Sequence, residues 1–345
     1  MVRDDIRNVL TNVLKELGAE GVEPLIEHPA DFSHGDYSSN VALVVAKTLG
    51  KNPMELAEEI KKKLEASGKL EIIDRVEVVK PGFINFWLSQ DYLLSSMVRI
   101  IELKENYGKG KTLNGKKILV EFAHPNTHKE FHIGHLRNVM LGEAICRLLL
   151  AQGAEVRRVN YQGDVGLHVA KALFGMLWKF EVKIIEEKIR LLEAKSLDER
   201  VKFLGKAYAL GSKAYEEDEK ARDAIAAINS KIYSKDPDIE ELWQETRQWS
   251  LDYFDAIYKR LRTKFDRLYF ESEVFESGKD IVLVHIKDGV FTKDQGAVIF
   301  DGEKYGLHKR VFVTKEGYAT YEGKEMGLGP LQYKEFKFDE AIHVV

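Results

Sequence analysis

Apolar positions Ile6, Val9, Leu10, Val13, Leu14 and Leu17 recur at helical spacing and stop at Gly18, which predicts an amphipathic helix closed by a glycine. A second helix is predicted over residues 37–49. A third begins at Asn52-Pro53, with Asn as cap and Pro at the first helical position, and runs to about Leu64. The period then changes. Residues 75–88 (RVEVVKPGFINFWL) are rich in β-branched and aromatic side chains and are broken by Pro81-Gly82, which predicts two strands joined at a turn. Helices followed by a short sheet make a small α+β domain, residues 1–112, ending in the Lys-, Gly- and Asn-rich stretch 111–115.

From residue 113 the pattern changes again. Residues 117–122 (KILVEF) form a short apolar strand, 124–131 a polar loop, and 134–150 a helix whose predicted apolar face is Leu136, Val139, Met140, Ala144, Leu148 and Leu149. Residues 156–161 (VRRVNY) read as the next strand. Strand, loop, helix and strand in about forty residues make a βαβ unit, hence a parallel sheet with ligands at the carboxyl ends of its strands. A mostly helical, highly charged stretch covers about 170–270, and residues 281–313 return to short strands separated by Lys-Asp-Gly and Asp-Gly turns. Residues 341–345 (AIHVV) are predicted to be one more buried strand. Because the chain stops on that strand rather than on the loop after it, the expectation is a fragment or truncation of a longer α/β domain that spans 113–345 here, with a short natural protein ending on an edge strand as the alternative.

Composition narrows the class. With 345 residues, 44% hydrophobic and 31% charged, the chain has apolar surface for two or three folded domains. The formal charge of −4 gives no global drive toward nucleic acid or anionic membrane, so any nucleic-acid contact must be local. Cys146 is the only cysteine, which excludes an intramolecular disulfide and any cysteine-based zinc cluster and points to a reducing, cytoplasmic compartment. The first seventeen residues carry charges throughout, so neither a signal peptide nor a membrane span is expected there.

His124, His128, His132 and His135 fall within twelve residues. A metal site is one reading, but Pro125, Asn126, Thr127 and Gly134 break the helical face that the spacing would need, and no structural metal is expected. Solvated loop histidines are a second reading for His124 and His128. The third takes His132 and His135 at a helix start, where free backbone N–H groups favour phosphate, Gly134 lets a flat ring approach, and both imidazoles can donate to phosphate oxygens.

Residues 120–138 (VEFAHPNTHKEFHIGHLRN) resemble the signature segment of class I aminoacyl-tRNA synthetases, specifically of arginyl-tRNA synthetases. Residues 160–166 (NYQGDVG) are similar to that family's next element, and residues 34–42 (HGDYSSNVA) and 81–86 (PGFINF) to its distinctive amino-terminal domain. The resemblance implies a Rossmann-like α/β catalytic domain with a helical insertion, preceded by the small α+β domain. It implies ATP-dependent activation of L-arginine to arginyl-adenylate and transfer to tRNA(Arg), with ATP as substrate together with Mg2+. A monomer is expected, with no membrane partner.

Residue by residue, the resemblance assigns ATP to His132, Gly134 and His135, with His135 also at the amino acid. Lys129 stands where some members use a lysine upstream of the histidine motif to neutralise the triphosphate. Arginine would be held by Glu121, His124, Pro125, Asn126 and His135, and by Tyr321 and Glu325, where the family usually has Asp at the second position. Phe83 and Asn85 would contact tRNA by stacking and by hydrogen bonding to a base edge, with Lys61, Lys62, Lys63, Lys69 and Lys80 as a phosphate-tracking surface. A solvated helix face bearing Glu322, Lys324 and Glu325 is the plain alternative for that segment. The family's later glutamine, its K-M-S-K-S region and its anticodon-binding domain would lie beyond this chain, so the isolated chain is expected to aminoacylate poorly or not at all. A standalone nucleotidyltransferase and a non-catalytic tRNA-binding module are the competing functions.

Overall fold

The computed structural model describes residues 2–68, 71–180, 192 and 194–345. Two compact units divide the chain, Met1–Gly108 and Lys109–Val345.

In the first unit, helix α1 (Val2–Glu16) buries Ile6, Leu10, Val13 and Leu14, as its spacing dictates. Strand β1 (Tyr37–Ser39) precedes helix α2 (Val41–Leu49), and α3 (Pro53–Ala66) is capped by Asn52, whose side chain accepts from the Met54 N–H at 2.9 Å. Strands β2 (Ile73–Val79) and β3 (Phe83–Leu88) complete an antiparallel sheet of order β1-β3-β2. The predicted helix over 37–49 is therefore corrected at its start. Residues 37–39 pair with β3, Asp36 N donates to the Phe86 carbonyl at 2.8 Å, and Ser38 Oγ donates to Asn85 Oδ1 at 2.7 Å, so cross-strand bonds hold the chain extended until Val41. Helix α4 (Gln90–Leu103) follows, with no buried residue.

The second unit is built on a parallel sheet. Strand β4 (Lys117–Glu121), helix α5 (Ile133–Ala151) and strand β5 (Glu155–Gln162) form the expected βαβ unit. Helices α6 (Leu167–Phe180), α7 (Leu197–Glu217), α8 (Glu219–Ser234) and α9 (Pro237–Arg260) follow, around a core that includes Val169, Leu173, Leu204, Ile225 and Trp249. Strand β6 (Arg267–Phe270) leads into helix α10 (Glu271–Val284), so residues 281–284 end a helix where a strand was predicted. A small antiparallel sheet of β7 (Thr292–Asp294), β8 (Ala297–Phe300) and β9 (Arg310–Val313) precedes helix α11 (Tyr321–Glu335) and strand β10 (Glu340–His343). The parallel sheet has the order β10-β4-β5-β6. Strand β10 forms where predicted, but among the described residues it pairs only with β4, and it is largely exposed rather than buried.

Helix α5 also turns a different face inward from the predicted one. Val139, Gly142, Glu143 and Cys146 are buried, whereas Met140, Ala144 and Leu148 are exposed. Two features rotate it. Gly142 lies against Phe122 so closely that a Cβ there would stand 2.2 Å from the ring carbon Cγ. Glu143 is drawn in because it accepts from Arg158 Nε at 2.9 Å, Arg147 Nε at 2.7 Å and Thr263 Oγ1 at 2.9 Å, which compensates the burial of its charge.

The loop between β4 and α5 is held from below. Its Thr127 N–H donates to the Gly163 carbonyl at 2.9 Å and its His128 N–H to Ser250 Oγ at 2.9 Å. His128 is fully buried, with Nε2 2.8 Å from Thr246 Oγ1 and Nδ1 3.0 Å from Thr127 Oγ1. It is thus neither a solvated histidine nor a metal ligand but the pin that fastens the loop to α9. Burial, then the charges of His168 and Arg247, push its pKa down to about 3.

Two outcomes follow. Gly142→Ala forces the helix off Phe122 and should cost about 1–3 kcal/mol of stability, measured by urea unfolding. For His128 the folded pKa lies below the unfolded value, so its contribution is fully present above pH 6.5 and is lost as pH falls from there toward 3. His128→Gln should flatten the pH dependence of unfolding between pH 6 and 4 by up to about 1.4 kcal/mol per unit; an unchanged slope would mean that the folded protein protonates this ring.

Candidate functional site

Alternation along the strands sorts the site into two faces. Glu121 pairs in register with Val159, so Leu119 and Glu121 of β4 and Val159 and Tyr161 of β5 project to one side of the sheet. That side is covered by α10 and α11, through Val274 and Leu328. The opposite face carries Val120 and Phe122, packed with Val139 of α5 and Phe254 of α9. The carboxyl ends of the strands thus open onto the first turn of α11 on one side and the head of α5 on the other.

Glu121 is 2% exposed and carries the central charge. One carboxylate oxygen accepts from Gln332 Nε2 and the other lies 3.2 Å from His343 Nδ1. His124 Nδ1 lies 3.8 Å from the same carboxylate, while its Nε2 is buried without a hydrogen-bond partner among the described residues; burial is the main reason its pKa is lowered. The hydrogen bond to Glu121 instead raises the pKa of His343. Helix α11, capped by Thr320 Oγ1 accepting from the Gly323 N–H, brings Tyr321 and Glu325 into the same region. Burial raises the Glu325 pKa, the Tyr321 hydroxyl donating to it pulls the other way, and the Glu121 charge adds to the rise. Glu121, His124, Tyr321 and Glu325 are therefore brought together. The solvated-face alternative fails at Lys324, which is 5% exposed and paired with Glu271 at the start of α10.

At the head of α5 the two motif histidines cap the helix and each other. His132 Nδ1 accepts from the Gly134 N–H at 3.1 Å, and His135 Nδ1 accepts from the His132 N–H at 3.3 Å. Their rings stack with centroids 3.7 Å apart. Since each Nδ1 is an acceptor, the neutral rings carry their protons on Nε2, which is the donor left for a ligand. Burial, followed by the charges of His132, His124 and Lys129, pushes the His135 pKa down to about 4, so it is neutral at pH 7. A Cβ at Gly134 would meet the His132 ring at 3.0 Å, which ties this glycine to the stacked geometry. Lys129 extends its ammonium over the Tyr208 ring at 4.8 Å.

Pro125 is buried, and Asn126 Oδ1 occupies the space that a side chain at Gly163 would need. Backbone strain concentrates here: Ala123 and His124 have φ of 84° and 52°, held in part by the His124 N–H donating to Asn160 Oδ1 at 3.1 Å. Asp164, in the NYQGDVG element, ties the loop after β5 to its surroundings. Its carboxylate accepts from Arg247 Nε at 2.7 Å and from the Ser272 N–H at 2.9 Å.

Sequence reasoning passed over Gln332 and His343. Both had a signal: Gln332 follows Glu325 by two helical turns on the same face, and His343 ends a parallel strand, where ligands bind. Among the described residues no cluster of three or more His, Cys, Asp or Glu is arranged to hold a metal ion, and no helix is long and apolar enough to cross a membrane.

In the first unit, Phe83 is 38% exposed and Asn85 is 2% exposed; both line a cavity of about 370 Å³ with Glu27, His28, His34 and Lys80. Asn85 Oδ1 is already taken by Ser38. Lys63 pairs with Glu16 at 2.9 Å and Lys61 lies 3.9 Å from Glu65, so part of the expected basic surface is neutralised, and Lys69 lies outside the described residues.

The family model described as tRNA synthetases class I (R), catalytic domain, matches residues 97–345, and that of the arginyl tRNA synthetase N terminal domain matches residues 2–88. An arginine–tRNA ligase of Borreliella afzelii (strain PKo) is 32% identical over all of this chain and 58% of its own length, and one from Treponema denticola is 31% identical over 93% of this chain and 53% of its own. Among solved structures, arginyl-tRNA synthetase from Plasmodium falciparum shares the fold with a TM-score of 0.65 at 22% identity, over 96% of this chain and 56% of its own. The Thermus thermophilus arginyl-tRNA synthetase does so with a TM-score of 0.63 at 24% identity, over 96% and 53%. This chain thus spans a little over half the length of these relatives. With both family models in register along it, the chain belongs to the class I arginyl-tRNA synthetase family.

Proposed function

We propose that this chain carries the ATP- and arginine-binding portion of an arginine–tRNA ligase, which activates L-arginine to its adenylate and passes the arginyl group to tRNA. The observation that carries this reading is the buried Glu121, joined by Glu325 at the mouth of a parallel sheet. A guanidinium is permanently charged and presents a planar fork of donors, and paired carboxylates are its natural acceptors. Gln332 and His343 hold Glu121 in place, Tyr321 orients Glu325, and Asn126, Pro125 and His124 line the loop that would enclose the amino-acid backbone.

ATP would lie across the head of α5. The Nε2–H groups of His132 and His135 would donate to phosphate oxygens, the helix start would favour the negative charge, and Lys129 would neutralise the triphosphate. Because His135 is neutral at pH 7, it serves as a hydrogen-bond donor without a cation's repulsion of the incoming arginine. Activation is an in-line attack of the arginine carboxylate on the α-phosphorus, with pyrophosphate leaving, and these residues act by positioning and charge stabilisation. Mg2+ would arrive with the nucleotide.

In the first unit, the cavity beside Phe83 suits an unstacked tRNA base. Phe83 would supply the stacking surface, and Asn85, its Oδ1 already engaged, would offer amide N–H groups. The single, buried Cys146 fits a reducing cytoplasmic compartment.

The test is isothermal titration of ATP and of L-arginine, with and without tRNA. Glu121→Ala should weaken arginine binding at least about 100-fold while leaving ATP binding within a factor of about two, since it strips the charged acceptor from the pocket. His135→Ala should weaken ATP binding by about 10-fold or more and, because the ring also faces the amino acid, arginine binding with it. Arginine binding insensitive to Glu121→Ala would reject the reading, and ATP binding without preference for arginine over lysine would favour a nucleotidyltransferase.

A further inference from the structure

One buried polar group beside Glu121 neither holds that carboxylate nor caps a helix. Tyr161 stands on the same face of the sheet as Glu121, one pleat nearer the carboxyl ends, because Glu121 lies level with Val159. Its ring is 3% exposed and packs among Leu119, Tyr269, Val274 and Leu328, with its centroid 6.4 Å from that of Tyr321. Its hydroxyl is buried and has no hydrogen-bond partner among the described residues. Burial first, and then the charges of Glu271, Glu325 and Glu121 and the neighbouring Tyr321, keep the phenol protonated.

A buried hydroxyl without a partner destabilises the fold, and phenylalanine would fill the same volume without that penalty. The hydroxyl could have donated to one of the nearby carboxylates, yet Glu121 is engaged by Gln332 and His343, Glu325 by Tyr321 and Glu271 by Lys324. Each acid already has a donor, which leaves both the proton and the lone pairs of Tyr161 uncommitted on the acidic side of the site.

From this arrangement we infer that Tyr161 is a specificity-determining residue, its hydroxyl accepting an N–H of a guanidinium seated between Glu121 and Glu325. The inference rests on the arginine reading of the site. A guanidinium carries five N–H donors fixed in a rigid plane and a fork, so they cannot all turn toward the free lone pairs of two partly engaged carboxylates, and a neutral oxygen takes up one that points elsewhere. A lysine ammonium has three donors, which two carboxylates can satisfy, so it leaves the Tyr161 hydroxyl without a partner. The hydroxyl thus favours arginine over lysine at a point where the acids alone discriminate less.

The test is titration of L-arginine, L-lysine and ATP into the full chain, wild type and Tyr161→Phe, with thermal melting of each without ligand. The expected result is arginine affinity lowered by about 10- to 100-fold, lysine and ATP affinities within about twofold, and a melting temperature equal to or above wild type. Unchanged arginine affinity in the variant, with the wild type still preferring arginine to lysine, overturns this inference and leaves the arginine reading standing. A wild type without that preference overturns both. A variant that melts lower and loses all three ligands together assigns the hydroxyl a packing role and overturns the inference alone.

Discussion

The organising constraint of the second unit is the burial of one carboxylate. Glu121 ends β4 at 2% exposure, and an ion removed from water in this way costs several kcal/mol unless donors reach it. Those donors come from far along the chain: Gln332 from the end of α11 and His343 from β10. More than two hundred residues separate them from Glu121 in sequence. Bringing them back requires α11 to cross the sheet and β10 to pair with β4, and the same crossing carries Tyr321 and Glu325 to the mouth of the sheet. Satisfying one buried charge and assembling an acidic pocket are therefore the same structural event.

The head of α5 follows a parallel logic. A helix start has backbone donors to satisfy, and here His132 and His135 satisfy two of them through Nδ1 while turning Nε2–H outward. Capping thus sets the tautomer, and the tautomer sets what the rings can offer a phosphate. The strained turn at Ala123 and His124 is retained because Asn160, the Gly163 carbonyl and the buried His128 fix the loop at several points. Strain held by so many bonds is a mark of pre-organisation rather than looseness.

The βαβ unit, the Asn52 cap and the Pro81-Gly82 turn were readable because local chemistry decides them. Residues 37–39 misled because pairing with β3, a contact nearly fifty positions away, overrode a helical pattern. The face of α5 misled for a related reason. A glycine that admits Phe122 and an acid that finds two arginines outweigh exposed methionine and leucine, and apolar periodicity records neither. Among the four clustered histidines, sequence placed His132 and His135 at the helix start but could not separate His128, whose partners Thr246 and Ser250 lie on α9. Lys324 and Glu325 are adjacent in sequence, yet one turns to Glu271 and the other toward Glu121, a division set by the orientation of α11 alone.

The most direct test of the account is a crystal structure of the chain with L-arginine bound at saturation. The guanidinium is expected against the Glu121 carboxylate, with Glu325 on its other side and Gln332 still bonded to Glu121. Arginine seated elsewhere, or turned so that its carboxylate rather than its guanidinium meets Glu121, would contradict it.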